Sequence, residues 1–118
     1  MTMQSLPSTT GLAIEMYEAG GRTVVTLRGT LDATTAPQLE AQFAELTQRR
    51  AHDVDLDISG LDSMDANGLS VVLAEHRHTM AVGGGLVIHH PNRSVIRLFQ
   101  LNGLMSYLVV QPRMPTQS

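Results

Sequence analysis

Apolar and polar residues alternate from Leu12 onward: Leu12, Ile14 and Met16 stand between Ala13, Glu15 and Tyr17, the period of two left by a half-buried strand. Glu18-Ala19-Gly20-Gly21 supplies turn chemistry, and the β-branched run Thr23 to Leu27 predicts a second strand that closes a hairpin with the first. Beyond Gly29 the period changes. Leu39, Phe43 and Leu46 fall at i, i+4 and i+7, so a helix with one buried stripe is expected. Thr34 or Thr35 would cap it, Pro37 would sit in its first turn, and Arg49 and Arg50 would lie against the negative end of its dipole, the helix running to about Arg50.

Alternation returns where Val54, Leu56 and Ile58 separate Asp53, Asp55 and Asp57, a third strand after which Ser59-Gly60 and the short segment Leu61 to Met64 lead to the next helix. Gly68 to about Met80 has helical spacing, with Leu69, Val72, Leu73, His76 and Met80 on one side, and the Gly83-Gly84-Gly85 run stops it. Leu86 to Ile88 form a further strand and Pro91-Asn92 restart the chain. Val95, Leu98 and Phe99 mark a last helix closed by Gly103, and Leu104 to Val110 are expected to be the final strand. The sum is an α/β fold: a mixed sheet with an N-terminal antiparallel hairpin, then parallel crossovers, packed with three or four helices. Residues 1–10 and 112–118 are polar or proline-punctuated and read as flexible tails around one domain at 11–111.

Composition narrows the function classes. Hydrophobic residues at 42% and charged residues at 16% suit a chain that folds alone, and 118 residues suffice for one core. Eight Lys and Arg against eleven Asp and Glu, with two Tyr, two Phe and no Trp, leave neither the positive surface nor the stacking platforms that direct nucleic-acid binding needs. The absence of Cys removes disulfides and thiolate chemistry. The start lacks a basic, apolar leader, and no run approaches the length of about eighteen apolar residues that spans a bilayer. A cytoplasmic protein without membrane insertion is expected.

Candidate chemistry is sparse. His76 and His78 stand two apart on a helix, and the adjacent His89 and His90 point to opposite faces of a strand, so neither pair chelates a metal. Asp53, Asp55 and Asp57 share one strand face, which is either a Mg²⁺ or Ca²⁺ site or, the favoured reading, a solvated surface with Arg partners. Ser59, Ser63 and Ser70 lie near aspartates without a nucleophile elbow or an assigned base, so no enzyme activity is expected. The glycine run follows a helix and precedes a strand, the wrong order for a phosphate loop. No cofactor is implied.

The most informative stretch is Leu61-Asp62-Ser63-Met64-Asp65-Ala66-Asn67-Gly68-Leu69, where a carboxylate at Asp65 stands ready to accept bonds from the first N–H groups of a helix. Three segments, GTLDATTAPQL (Gly29 to Leu39), LDSMDANGLSVVL (Leu61 to Leu73) and GGGLVIHHPNRSVIRLFQLNGL (Gly83 to Leu104), resemble in order and spacing the STAS domain of bacterial anti-sigma factor antagonists across nearly the whole chain. The resemblance implies a protein-binding module. In that family the loop before the second helix usually reads Asp-Ser-(Ser/Thr)-Gly-Leu. The serine is phosphorylated by the anti-sigma factor, a serine kinase; the unmodified form binds that kinase and frees a sigma factor, and a phosphatase resets the switch. The family's hairpin loop, here Gly29-Thr30-Leu31-Asp32, is expected beside the same surface.

Carried onto this chain, the resemblance places partner binding on Asp32, Asp65, Ala66, Asn67 and Gly68, with Ala66 at the phosphoacceptor position. Alanine has no hydroxyl and does not mimic a phosphate. Three readings follow: an antagonist that is permanently competent to bind, control through another hydroxyl such as Ser63 or Ser70, or a STAS scaffold or subunit in a stress-sensing or transporter complex. A homodimer is compatible with all three.

Overall fold

Gly20 and Gly21, at φ 62° and 80°, turn the chain through a conformation that side-chain-bearing residues rarely adopt, and so set the first hairpin. The computed structural model describes residues 11–111, and the expected tails at 1–10 and 112–118 lie outside the described residues. Strands β1 (Leu12–Ala19) and β2 (Arg22–Leu31) pair antiparallel from Ala19 opposite Arg22 to Leu12 opposite Gly29. The expected hairpin is therefore present, with β2 longer than the β-branched run alone suggested.

Helix α1 (Ala36–Gln48), strand β3 (Asp53–Met64), helix α2 (Ala66–Ala81), strand β4 (Gly85–His89), helix α3 (Arg93–Leu101) and strand β5 (Val109–Gln111) follow. The sheet order is β1-β2-β3-β4-β5, with β2 to β5 parallel. Each crossover moves one strand along, and the right-handed rule then carries the three helices to one face of the sheet. That face buries Val25, Leu27, Val54, Leu56, Ile58, Leu86 and Ile88 beneath Leu39, Phe43 and Leu46 of α1, Leu69 and Val72 of α2, and Val95 and Phe99 of α3.

Several boundaries differ from expectation for identifiable reasons. Gly29, Thr30 and Leu31 are not a hairpin loop: they end β2, paired with Leu61, Ser63 and Met64 of β3, and the register shifts at Thr26/Arg28 and Gly29/Thr30 let both strands run on past Ser59-Gly60. Thr35 occupies the cap position of α1, yet its hydroxyl accepts from the Asp32 N–H (2.9 Å) and donates to the Thr30 carbonyl (2.8 Å), not to the helix. Arg49 is the C-cap and Arg50 lies beyond the helix at φ 60°. Met80 is 57% exposed and faces away from the core, whereas His76 is buried. The last strand is short because Leu104 to Leu108 close a turn, the Tyr107 and Leu108 N–H groups both donating to the Leu104 carbonyl.

Gly84 shows why α2 must stop where it does. A Cβ there would lie 2.1 Å from the His52 carbonyl oxygen, so the chain passes too closely for any other residue, and Gly83 at φ 88° turns it into β4.

Candidate functional site

Parallel strands present their carboxyl ends together, and in this sheet β2 and β3 end side by side at Leu31 and Met64. Asp32 and Asp65 are the next residues along each strand. The two turns are joined where the Asp65 N–H donates to the Leu31 carbonyl (3.1 Å).

Asp65 is extended (φ −111°, ψ −173°) and caps α2, its Oδ1 accepting from the N–H of Asn67 (2.9 Å) and of Gly68 (3.1 Å). Those bonds, the one from Gly68 foremost, hold its carboxyl below the usual range, and the N–H of Ala33 in the neighbouring turn adds to the effect. The loop is thus fixed by hydrogen bonds to its own helix and to the end of β2.

Asp32 builds the second turn. Its carbonyl accepts from Ala36 N–H (2.7 Å) and Thr35 N–H (3.1 Å), and its Oδ1 accepts from Thr34 N–H (3.0 Å), so it serves the first turn of α1 that the threonine hydroxyls leave unserved. Beside it an open cavity of about 310 Å³ is lined by Gly11, Thr30, Asp32, Thr34 and Thr35. Sequence reasoning missed that polar hollow, since Gly11 and Thr30 meet only through the hairpin register, where Thr30 N–H donates to the Gly11 carbonyl (3.0 Å).

The structure brings the expected residues together unequally. Asp65, Ala66 and Asn67 are exposed and Asp32 is half-buried beside them. Gly68 is corrected from a surface position to a buried one: it lies under the tip, where a Cβ would stand 2.5 Å from Leu31 Cγ and 2.9 Å from the Leu31 carbonyl oxygen. Ser63 and Ser70 are both exposed; Ser70 donates to the Ala66 carbonyl (3.0 Å) one turn into the helix.

Asn92 is a further supporting residue. Its amide donates to the carbonyls of Leu61 (2.9 Å) and Asp62 (3.3 Å) while its Oδ1 accepts from Val95 N–H (3.0 Å), tying the start of α3 to the strand that enters the tip. The signal was visible as a helix-capping Asn after a Pro, but its long-range half was not.

The aspartate row resolves into ion pairs. Arg22 Nε donates to Asp55 Oδ2 (2.9 Å), its Nη1 approaches Asp53 Oδ1 (3.9 Å), and His89 Nε2 lies 3.0 Å from Asp55 Oδ1. Burial alone would push the Asp55 carboxyl up; hydrogen bonds from Arg22 and His89 outweigh it, and the net direction is down. Asp57 accepts from Ser59 N–H (3.0 Å). Among the described residues no group of three or more His, Cys, Asp or Glu has metal-holding geometry.

A mixed sheet with helices crossing its parallel strands, and a capped helix start displayed at their carboxyl ends, defines an α/β domain with one antiparallel edge hairpin. The chain belongs to the STAS domain family, whose model, described as Mlab, STAS domain, matches residues 15–111. It is 29% identical over 99 residues to a Bordetella bronchiseptica protein provisionally named an anti-sigma factor antagonist, covering 84% of this chain and 85% of that one. It is also 29% identical over 87 residues to the anti-sigma F factor antagonist of Lysinibacillus sphaericus, 73% of this chain and 74% of that one. In fold it is similar to the crystal structure of an anti-sigma factor antagonist from Mycobacterium paratuberculosis, with a TM-score of 0.78, 20% identity and 92% of each chain covered. No helix among the described residues is long and apolar enough to cross a membrane.

Proposed function

We propose that this protein is a cytoplasmic, non-enzymatic antagonist that binds an anti-sigma factor of the serine kinase type through the tip formed by Asp32, Asp65, Ala66 and Asn67, and thereby releases a sigma factor. The observation that carries the proposal is the exposed, hydrogen-bonded turn at Asp65–Asn67, held against the end of β2. A rigid tip favours binding because little conformational freedom is lost when the partner arrives. The names of the relatives at 29% identity point the same way.

The usual covalent switch would place about −1.5 to −2 charges beside Asp65 and break an interface built around one carboxylate. Ala66 cannot take the phosphate, so the tip stays competent to bind, and control passes to the amount of protein or to its partner. With kinase and ATP the wild type is expected to keep its unmodified mass, while Ala66→Ser takes up one phosphate and loses affinity for the kinase. Capture from the native organism followed by mass spectrometry is expected to return a serine kinase of the anti-sigma type. Recovery of a transporter or a stress-sensing assembly instead, or labelling of the wild type at Ser63 or Ser70, would overturn the assignment.

A further inference from the structure

Away from the tip, α1 and α2 leave between them an open groove of about 230 Å³ lined by Glu40, Phe43, Ala44, Val71, Ala74, Glu75 and His78. Its floor is apolar, with Phe43 buried and Val71 half-buried, and its small residues Ala44 and Ala74 keep it open. Glu75 stands in this lining although it is 6% exposed, and its Oε2 has no hydrogen-bond partner among the described residues.

A carboxylate in that position is costly. Burial removes the water from its Oε2, and among the described residues no donor returns the lost hydrogen bond. The helix did not need an acid here: α2 would bury a methionine or leucine at the same position without this loss. Burial accordingly pushes the Glu75 carboxyl up, and the charge of His78 only partly opposes it. The groups that titrate along the groove are Glu40, Glu75 and His78, two acids and one imidazole.

A largely apolar groove with an unpaired carboxylate oxygen in its lining is complementary to a flexible aliphatic stem with a cation at its end. Arginine and lysine side chains have that form: their methylenes cover apolar surface while the head seeks an anion. We propose that the groove between α1 and α2 is a second docking site, which receives a basic side chain of a partner polypeptide, its stem on Phe43, Ala44, Val71 and Ala74 and its cationic head on Glu75. Glu40 at the exposed rim adds attraction as the cation approaches. The site shares no residue with the tip, and its failure would leave the anti-sigma reading untouched.

The experiment is a titration of the isotope-labelled full chain followed by NMR, with n-butylguanidinium as the probe and n-butylurea as its uncharged counterpart. A saturable shift confined to the amides of Phe43, Ala44, Val71, Ala74 and Glu75 is expected, with an affinity of about millimolar order for so small a fragment. The Glu75 side-chain carboxyl should titrate at lower pH when the probe is bound, and a capped Gly-Arg-Gly peptide should shift the same amides. Binding should weaken about tenfold or more in Glu75→Gln, a variant that removes the buried charge and keeps the shape. An equal response to butylurea, shifts spread over the whole surface, no saturation, or undiminished binding in Glu75→Gln would each overturn the proposal. The comparison of the charged and neutral probes on the wild type decides even if the variant folds poorly.

Discussion

Replacing Gly68 by alanine separates the support of the tip from its surface. In an ordinary helix the change stabilises by about 1 kcal/mol, because glycine loses more backbone freedom on folding. Here the new methyl would stand 2.5 Å from Leu31 Cγ and 2.9 Å from both Leu31 Cδ2 and the Leu31 carbonyl oxygen. The Leu31 side chain is fully buried in the core, and its carbonyl is held by the Asp65 N–H at 3.1 Å. Relief must come from moving the first turn of α2 outward. Overpacking of this kind costs about 1–3 kcal/mol, and a contact with backbone belongs at the upper end of that range. After the propensity gain, a net loss of about 1–2 kcal/mol is expected. For a domain of this size that corresponds to a fall in Tm of about 4–8 °C. Urea denaturation at neutral pH measures the loss, and amide shifts at Asp65 and Asn67 report whether the cap has moved. Affinity for the partner should fall further than stability alone explains. A Gly68→Ala protein as stable as the wild type, with an unmoved cap, would refute the assignment of Gly68 as the residue that sets the distance between α2 and β2.

Asp65→Ala should cost about 1 kcal/mol by leaving the Asn67 and Gly68 N–H groups without their acceptor, while Asp65→Asn keeps the cap and most of the stability; equal losses in the two would refute this. The carboxyl of Asp65 is held below its usual range, so its stabilising share is full above the ordinary aspartate pKa and is lost as the pH falls through the lower folded value, a dependence that acid titration should find missing in Asp65→Asn. Arg22→Ala should raise the Asp55 pKa, since His89 alone then opposes burial, and cost about 0.5–1 kcal/mol in urea because the partly exposed guanidinium is screened by water; an unchanged Asp55 titration by NMR would contradict the ion-pair account. Glu75→Met should stabilise the isolated chain by about 1–3 kcal/mol near pH 8. Because burial raises the folded pKa of Glu75, the wild-type penalty grows as the pH rises through the ordinary glutamate value toward the folded one and is absent below both. The gain should therefore vanish near pH 4, and a gain of the same size at both pH values would refute the account.

Particular elements show where sequence patterning suffices. The alternations at Leu12–Met16 and Val54–Ile58 and the stripe Leu39, Phe43, Leu46 all point to the face that the fold buries, because the two periods are properties of the backbone itself. Asp65 as a cap was equally legible, since both its acceptor and its donors lie within three residues. The ends of β2 and β3 were not. Gly29 and Ser59-Gly60 read as breaks, yet each strand continues through a bulge because the other supplies its hydrogen bonds. Thr35 read as a helix cap by composition, but the nearby Thr30 carbonyl and Asp32 N–H claimed its hydroxyl.

By itself the sequence determined the order of elements, the buried stripe of each and the carboxylate that caps the second helix, all of them local or nearly local matters. Only the tertiary structure decided that Asp32 and Asp65 follow neighbouring strand ends, that Gly68 is a spacer pressed on Leu31, that Arg22 and His89 both meet Asp55, and that the Glu75 Oε2 lies buried without a partner among the described residues. Each of these depends on which strands and helices become neighbours and in what register. A one-residue slip between strands would exchange the faces and dissolve every one of them, and local propensity carries no record of that register.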